Sequence, residues 1–556
     1  MTKADRRTAL SLIVAGAASL AVPDAQATVE GASFRHGVAS GDPARDGAVI
    51  WTRVTPRQGE TRALVVHWWV RDANGQMVAS GREAARSSRD YTVKVEVAGL
   101  HDGAEYRYGF RCGKASSSEG RFRTLPAGSV DRLDLAVASC QLYQGGYYNA
   151  YAAIARLERL DAVIHLGDYI YEYGADFDVY GGGTPERVPD PPHEAITLAD
   201  YRARHSQIKS DSDMQAAHAR AAFICSWDDH ETANNSWSGG STNHQPEREG
   251  SWKARKAAAL QAWFEWMPIR EPADRASSVA TYRKFSFGNL ATLFMLETRL
   301  VARSGPPARL VSPSSDEDVR AGIAELQTPG RMLLGPRQMD WLERGLAASR
   351  SADQPWQLIG NQVIMAPVAG PDFEKRFGKG AEEMLLARLS PSLRKALADR
   401  LRGYRFGAPF EWDSWDGFPA ERERLVAAFA RAGSVPLVLT GDSHAFWANN
   451  LPGKQGNVVA RELGTSGISS PSYGDAMPGL GLGKILADQN DAVLASDQDA
   501  KGFLKITLSR GRCEASFESP TTIKSREFAM RSVGDFTATP TGPLSSAVNK
   551  PSHPSG

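Results

Sequence analysis

Hydrophobic and polar positions follow two different patterns along this chain. Residues 34–125 alternate apolar and polar side chains in short runs, of which 91–97 is the cleanest, and turn residues separate the runs. Such alternation is typical of half-buried strands, and several short strands at regular spacing predict a β-sandwich. From Leu133 onward, short apolar runs alternate with longer helical stretches such as 251–266 and 421–431. The second pattern predicts an α/β or mixed α+β domain.

These changes of pattern divide the chain into four predicted segments. We expect a signal peptide at 1–27, an all-β domain at 28–127, a larger α/β domain at 130–535 and a disordered tail at 536–556. The tail is rich in Pro, Ser and Thr, which cannot build a buried core. Long polar stretches interrupt the larger domain, and we expect them to be lids or partly ordered insertions. They lie at 174–200, 302–330 and 366–420.

Side chains that can bind metal come directly after two of the apolar runs. The run 133–138 leads to Cys140, and the run 162–166 leads to Asp168 and Tyr171. An α/β fold gathers such residues at the carboxyl ends of its strands. A thiolate and a phenolate suit ferric iron, and one carboxylate can bridge two metals. The sequence therefore predicts a polynuclear metal site with Asp168 as its bridge.

A second polar cluster, Asp-Asp-His-Glu at 228–231, follows the apolar run 223–227 at once. Four adjacent ionisable side chains at a strand end would repel one another and lose hydration unless a cation compensates them. Asp229 is therefore a candidate metal ligand, and His230 a candidate acid or electrostatic stabiliser that faces the substrate. The alternative interpretation is a solvated acidic turn or a helix N-cap.

Two further apolar runs end in candidate ligands. Asp442 and His444 lie two residues apart after 437–439, so in an extended loop both side chains would point the same way. A hard oxygen ligand beside an imidazole suits a site with two kinds of metal. Asn361 follows the run 356–359. Each of these residues taken alone is more often an ordinary turn residue, and it is their shared position after an apolar run that favours a metal site.

Composition and charge exclude several classes of protein. With 556 residues the chain is too long for one ordinary domain, and 42% hydrophobic with 23% charged residues is typical of a soluble globular protein. A net charge of +1 gives no broad field for nucleic acid or anionic membranes, and no nucleic-acid-binding patch is evident. The four cysteines are too few for a fold built on disulfides, although one bridge remains open.

The N-terminus has the pattern of an export signal. Arg6 and Arg7 precede the apolar run 9–22, and small residues follow at 25–27. This order predicts a cleaved signal peptide, with cleavage after Ala27. The run is too short for a permanent membrane helix, so we expect no transmembrane segment in the mature protein. Paired arginines favour the twin-arginine export machinery, with an ordinary secretory signal as the alternative. Either route predicts a periplasmic or secreted protein.

Taken together, the motifs resemble the metallophosphoesterase pattern, and specifically that of PhoD-like alkaline phosphatases. The resemblance runs from about residue 33 to about 530. The broad pattern is found at 167–171, 229–231, 360–362 and 441–444, and the PhoD variant at 37–43, 138–141, 227–231 and 285–299. Most of the superfamily has an Asp-x-His pair where this chain has Cys140, and many members have His where it has Asp442. The PhoD variant shares both departures.

The resemblance implies a fold and a set of metal ligands. The fold is an all-β fibronectin-III-like sandwich before an α/β (α+β) four-layer metallophosphoesterase sandwich. A ferric ion, Fe³⁺, would be held by Cys140, Asp168, Tyr171 and His444. Calcium, Ca²⁺, would lie near Asp168, Asp229, Asn361 and Asp442. Asn235 is a weaker candidate ligand. Arg299 either binds phosphate or forms a structural ion pair.

The activity that the resemblance implies is metal-dependent hydrolysis of phosphate esters by an exported alkaline phosphatase. Metal-activated water would attack the phosphoryl group, and His230 would be the catalytic residue that faces the substrate. Phosphomonoesters and phosphodiesters both fit, and a phospholipase D-like phosphodiesterase is the first alternative. An exported surface-binding protein with an inactive phosphatase fold is an alternative of another class. The physiological substrate, the oligomeric state and the metal stoichiometry stay open.

Overall fold

The structure is a computed structural model that describes residues 31–180, 182–272, 279–387, 389, 391–453 and 455–547. The strands of the described residues are β1 (Val38–Gly41), β2 (Ala48–Arg53), β3 (Leu64–Arg71), β4 (Met77–Ala85), β5 (Thr92–Val97), β6 (Glu105–Cys112), β7 (Ala115–Ser116), β8 (Gly120–Arg123), β9 (Leu133–Ala138), β10 (Ala162–His165), β11 (Phe223–Cys225), β12 (Arg283–Phe287), β13 (Ala291–Met295), β14 (Trp356–Gly360), β15 (Leu437–Thr440), β16 (Phe446–Pro452), β17 (Val458–Gly464), β18 (Val493–Asp497), β19 (Phe503–Leu508), β20 (Cys513–Pro520), β21 (Met530–Ala538) and β22 (Ser545–Ser546). The α-helices are α1 (Asn149–Ala155), α2 (Leu198–Ser210), α3 (Ser212–Arg220), α4 (Pro246–Glu249), α5 (Trp252–Trp266), α6 (Ala308–Val311), α7 (Asp316–Leu326), α8 (Gly335–Ser351), α9 (Phe373–Phe377), α10 (Ala381–Leu386), α11 (Pro391–Arg405), α12 (Pro419–Arg431), α13 (Tyr473–Ala476) and α14 (Leu482–Gln489).

The N-terminal strands form a β-domain that shares a sheet with the rest of the chain. β3, β4, β6, β7 and β8 make a five-stranded sheet, and its Tyr108 shares a buried core with Ile50 of β2. β1 also pairs in parallel with β11, where Gly41 lies opposite Phe223. A Cβ atom at Gly41 would come within 2.2 Å of the Pro268 carbonyl oxygen, so only glycine allows this close approach. β1, β2 and β5 therefore continue the large sheet of the following domain.

Two large sheets pack face to face in the rest of the molecule. Their strand orders are β22-β21-β20-β19-β9-β10-β11-β1-β2-β5 and β12-β13-β14-β15-β17-β16-β18. Leu135 and Ile506 of the first sheet share a buried core with Leu358 and Leu439 of the second. Buried side chains of α1, α2, α3 and α5 pack on the first sheet, and those of α8, α12 and α14 pack on the second. The predicted α/β fold with an N-terminal β-domain is confirmed at this level.

Parallel strands in both sheets direct the predicted ligands to common edges. β9, β10 and β11 are parallel to one another, and so are β13, β14, β15 and β17. The carboxyl ends of these strands lead to Cys140, Asp168, the 228–231 cluster, Asn361 and Asp442. Because each short strand is fully buried, its apolar side chains fix the register in which the polar residues emerge.

The predicted disordered tail begins too early in the sequence. β21 continues to Ala538, and β22 pairs with it at Ser545. Leu544 is only 2% exposed, and its N–H donates to Asn450 Oδ1 at 2.8 Å. The average composition of the tail concealed Leu544 and Phe536, whose buried side chains anchor these strands to the core. The remainder, 548–556, lies outside the described residues, as does the predicted signal peptide.

Two of the long polar stretches contain helices. Residues 302–330 include α6 and α7, and residues 366–420 include α9, α10 and α11. Leu397, Leu401 and Tyr404 recur on one face of α11 and are buried against the second sheet's core.

No helix in the part of the chain that the structure describes is long and apolar enough to cross a membrane.

Candidate metal centre

Four predicted iron ligands converge where β9, β10 and β15 end. Cys140 Sγ lies 3.5 Å from Asp168 Oδ2, and the Tyr171 hydroxyl oxygen lies 3.0 Å from the same carboxylate oxygen. The Tyr171 hydroxyl oxygen is also 3.1 Å from His444 Nε2. Ligand atoms of Cys140, Asp168 and His444 all lie within 4.8 Å of one another, so this group could hold a metal ion. Sulfur, oxygen and nitrogen donors thus surround one point.

The protonation states of these side chains depend on whether a cation is bound. Burial and the neighbouring Asp168 raise the pKa of Cys140 and of Tyr171 well above their usual values. Burial lowers the pKa of His444 to about 4, so its imidazole is neutral. His444 Nδ1 donates to the Pro471 carbonyl oxygen at 2.6 Å, which leaves the lone pair of Nε2 for a metal. A highly charged cation would ionise the thiol and the phenol, as metal ligation requires.

Cys140 is not part of a disulfide. All four cysteines lie within the described residues, and each is buried and free. The bridge that the cysteine count left open is therefore absent from the described chain. The thiol of Cys140 is directed at Asp168 instead.

Several residues of the site have a left-handed backbone. Residues other than glycine adopt positive φ angles at a cost, and such angles cluster at functional sites. No local sequence pattern indicated this conformation. It occurs at Cys140 (φ 58°), Asp168 (φ 56°), Asn235 (φ 51°), Asp442 (φ 60°) and His444 (φ 56°).

Two buried side chains that were not predicted hold these loops in place. The Glu231 carboxylate accepts hydrogen bonds from the backbone N–H groups of Asp168 at 3.0 Å, Tyr169 at 2.7 Å and Asp228 at 2.7 Å. Gln141 Nε2 donates to the Tyr169 carbonyl oxygen at 2.7 Å. These bonds fasten the loops after β9, β10 and β11 to one another. Both residues lie within motifs found in the sequence, at 138–141 and 228–231, but no role was assigned to either.

A second acidic group lies beside the first and surrounds Arg299. Ligand atoms of Asp228, Asp229 and Asp442 lie within 4.8 Å of one another and could hold a metal ion. Arg299 is fully buried and pairs with Asp228, with Asp442 at 2.8 Å and with Asp413 at 2.5 Å. Of the two interpretations of Arg299, the structure therefore has the ion pair. Asp413 was missed because it follows no apolar run.

Two carboxylate oxygens of this second group lack hydrogen-bond partners in the described part of the chain and are available to a hard cation. Asp228 Oδ2 and Asp229 Oδ1 are buried and have no hydrogen bond among the described residues. Asp229 Oδ1 has only an ion-pair contact with Arg299, at 3.3 Å. Carboxylate oxygens are the ligands that calcium prefers, so these residues fit a calcium ion.

The two predicted amide ligands are placed differently. Asn361 is buried, but its Nδ2 donates to the Val363 carbonyl oxygen at 2.5 Å, and its Oδ1 accepts from Trp415 Nε1 at 3.2 Å. Asn235 lies in the cavity of the site, and its N–H donates to Asp229 Oδ2 at 2.5 Å. The calcium-ligand roles of both residues stay predictions.

His230 is held by a carboxylate next to the metal-binding residues. Its Nδ1 lies 2.7 Å from Glu172 Oε2, and its ring centre lies 4.2 Å from that of Tyr171. Burial disfavours the imidazolium, but the negative charges of Glu172, Asp229 and Asp168 outweigh burial and raise the pKa of His230 well above its usual value. With no cation present, these charges favour the doubly protonated imidazole.

Comparison with known proteins assigns the family. The family model for PhoD-like phosphatase matches residues 135–517, and the model for the PhoD-like phosphatase N-terminal domain matches residues 18–126. The chain belongs to the PhoD-like phosphatase family. It is 33% identical to alkaline phosphatase D of Bacillus subtilis (strain 168) over 505 residues. This alignment covers 87% of this chain and 77% of that protein. The predicted resemblance to PhoD-like alkaline phosphatases is confirmed.

A solved structure supports the same assignment for this PhoD-like phosphatase. The structure of PhoD matches it with a TM-score of 0.76 and 31% identity, over 93% of this chain and 92% of that chain. The chain is therefore a phosphoric ester hydrolase of the PhoD-like type. Apart from the start of the C-terminal tail, the predicted domain boundaries stay predictions.

The site of this PhoD-like phosphatase opens into a cavity of about 120 Å³. One part of its wall holds Asp168, Asp229, His230, Asp442 and His444. Other parts of the wall come from the 366–420 stretch and from residues 471–473, which include the Pro471 carbonyl that accepts from His444. A phosphate ester that enters the cavity would therefore meet the predicted ligands and His230 together.

Proposed function

We propose that this PhoD-like phosphatase is an exported, metal-dependent phosphomonoesterase, phosphodiesterase or both. Its ferric ion would be held by Cys140, Asp168, Tyr171 and His444. Calcium would lie near Asp168, Asp229, Asn361 and Asp442. The observation that carries the proposal is the convergence of a thiol, a phenol, an imidazole and a carboxylate beside a second group of three carboxylates.

The residues of the chain have distinct parts in the proposed reaction. Iron and calcium, when bound, would neutralise phosphoryl charge and lower the pKa of the attacking water. Glu172 holds His230 by Nδ1, so Nε2 donates its proton to the oxygen of the leaving group. Glu231 and Gln141 hold the loops that carry Cys140 and Asp168 in fixed positions during the reaction.

Metal analysis tests this proposal most directly. The purified protein should contain one iron and at least one calcium. Cys140→Ser should remain folded but lose most of its iron, because a serine hydroxyl ionises far less readily than a thiol. Cys112→Ser, which removes a buried thiol from β6, is the matched control and should keep its iron. Full iron occupancy in Cys140→Ser would show that the thiol is not a ligand.

Activity measurements separate the remaining alternatives. Treatment with a calcium chelator should abolish hydrolysis of 4-nitrophenyl phosphate, and added calcium should restore it. Comparison with bis(4-nitrophenyl) phosphate distinguishes a monoesterase from a phosphodiesterase, including one of the phospholipase D-like type. Hydrolysis that is insensitive to the chelator would remove calcium from the scheme. A protein without metal or activity would favour the exported binding protein, which the complete set of donor atoms argues against.

We also propose that the twin-arginine machinery exports this protein to the periplasm or the medium. The support is the Arg6 and Arg7 pair before a short apolar run, in residues outside the described part of the chain. Replacement of both arginines by lysine should retain the precursor inside the cell, as seen by immunoblot of cell fractions. Normal export of that variant would favour the ordinary secretory signal.

We infer a fibronectin-III-like sandwich at 28–127 and a four-layer metallophosphoesterase sandwich at 130–535. The separate buried core of the N-terminal strands supports the first. The second is supported by one core between the two large sheets and one more on the outer face of each sheet.

A further inference from the structure

Arg400 lines the same cavity as the predicted metal ligands, but it is neither a proposed ligand nor the proposed acid. It lies on α11, and 30% of its side chain is exposed. Among the described residues that line this cavity it is the only arginine or lysine. The carboxylates of the wall are those of Asp168, Asp229, Glu411, Asp413 and Asp442.

Two neighbours hold the guanidinium of Arg400 in one orientation. Its Nη1 donates to Glu411 Oε1 at 2.7 Å and to the Phe410 carbonyl oxygen at 3.4 Å. The Tyr473 hydroxyl donates to the same Glu411 oxygen at 2.5 Å, and the centre of its ring lies 5.4 Å from the guanidinium carbon. An arginine that is fixed in this way loses little side-chain entropy when it binds a ligand.

The remaining donors of Arg400 are free to bind a ligand. The contacts with Glu411 and Phe410 use Nη1 alone. Nε and Nη2 make no direct hydrogen bond to a carboxylate of the described residues, although the guanidinium lies close enough to the Tyr404 hydroxyl to oppose the rise that burial causes in the pKa of that tyrosine. Neither nitrogen is among the buried atoms that lack a partner, so both keep some exposed surface in a side chain that lines the cavity. Adjacent guanidinium N–H groups present the fork that binds carboxylate or phosphate oxygens in pairs.

The position of Arg400 separates it from the reacting phosphoryl group. His444 is bound to the Pro471 carbonyl, and Tyr473, which contacts both Arg400 and Glu411, follows two residues later. The ion pair of the guanidinium is with Glu411, and it forms none with Asp168, Asp229 or Asp442, the carboxylates proposed to hold metal. Arg400 therefore lines a part of the cavity beside the proposed ligands, together with Tyr473.

We propose that Arg400 binds a second anionic group, a carboxylate or a phosphate, on the part of the ester that is not transferred. This inference rests on the proposed phosphatase function and adds a substrate class to it. Phosphate esters whose alcohol part carries an anionic group would be hydrolysed in preference to esters of the same size whose alcohol part is neutral. Glu411 and Tyr473 act as positioning residues for the guanidinium.

Two esters with the same three-carbon skeleton test this inference. 3-Phosphoglycerate has a carboxylate where glycerol 3-phosphate has a neutral hydroxymethyl group. Release of inorganic phosphate from each, with iron and excess calcium present, yields the ratio of the two kcat/KM values. Arg400→Gln should lower this ratio about tenfold, mainly through KM for 3-phosphoglycerate, because a hydrogen-bonded ion pair is lost. The ratio cancels any change in folding or metal content that affects both esters equally.

Two further variants and one outcome complete the test. Arg400→Lys keeps the charge without the fork and should have an intermediate ratio. Arg402→Gln on the same helix removes an arginine whose ion pair, to Asp316 at 3.8 Å, lies outside the cavity, and it should keep the wild-type ratio. An unchanged ratio in Arg400→Gln would overturn the inference while the phosphatase function stands. If the wild-type protein releases phosphate from neither ester, the inference fails together with the monoesterase part of the proposed function.

Discussion

Replacement of His230 by alanine should lower kcat by about 10²–10⁴-fold while the iron and calcium contents stay at their wild-type levels. The variant removes the proton donor of the leaving group, but none of the side chains proposed to bind metal. Its closest hydrogen-bond partner is Glu172, which is not a proposed ligand. Turnover of 4-nitrophenyl phosphate at saturating substrate, together with metal analysis of the same preparation, measures both quantities.

The control for this variant is a histidine outside the cavity. His193 has 64% of its side chain exposed, and His193→Ala should keep wild-type kcat. A kcat within about threefold of wild type in His230→Ala would contradict the acid role, since general acid catalysis contributes far more than that. Loss of metal along with turnover would assign His230 to metal retention instead.

Replacement of Arg299 by glutamine should lower the free energy of unfolding by about 3–5 kcal/mol when no metal is bound. Arg299 is fully buried, and its guanidinium pairs with Asp228, Asp413 and Asp442. Without it, these carboxylates are buried close together with no compensating charge. Urea unfolding in the presence of a chelator measures the difference. The exposed ion pair between Arg431 and Glu343 provides the control. The Arg431 side chain is 59% exposed, so Arg431→Gln should lower the free energy of unfolding by less than about 1 kcal/mol.

Calcium should distinguish the origin of that destabilisation. If the cost arises from uncompensated carboxylates, a bound divalent cation replaces part of the lost charge, and calcium should stabilise Arg299→Gln more than wild type. Equal stabilisation of both proteins would indicate that the arginine acts by packing alone. A loss below about 1 kcal/mol without metal would contradict the buried ion-pair network itself.

The parts of the site that follow short buried strands could be predicted from the sequence. Cys140, Asp168, Asp229 and Asp442 each come shortly after a strand that is mostly apolar and buried throughout, and parallel pairing brings such strand ends together. Local pattern and global topology agree at these positions. That agreement is why the four residues could be placed near one another without a structure.

Other parts of the site follow no local pattern. Asp413 and Arg400 belong to the 366–420 stretch, where helices and turns bring charged residues into the cavity from a distance along the chain. Cys140 has a left-handed backbone, and its N–H and carbonyl groups bond to Gly167 at 3.2 Å and to Ser470 at 3.3 Å, residues that are distant in the sequence. A sequence without glycine at that position does not reveal this conformation. β19 likewise pairs with β9 across more than 360 residues, as in Leu504 with Val137, and no local signal encodes such a partner.

The pairing of β1 with β11 also determines how the chain can be shortened. Removal of the N-terminal β-domain would uncover the side of β11 that now lies beside β1, and this strand is apolar along its whole length. An unpaired, apolar sheet edge is a template for pairing with another molecule. We therefore expect a chain shortened in this way to self-associate, because the N-terminal strands cover this edge of the sheet.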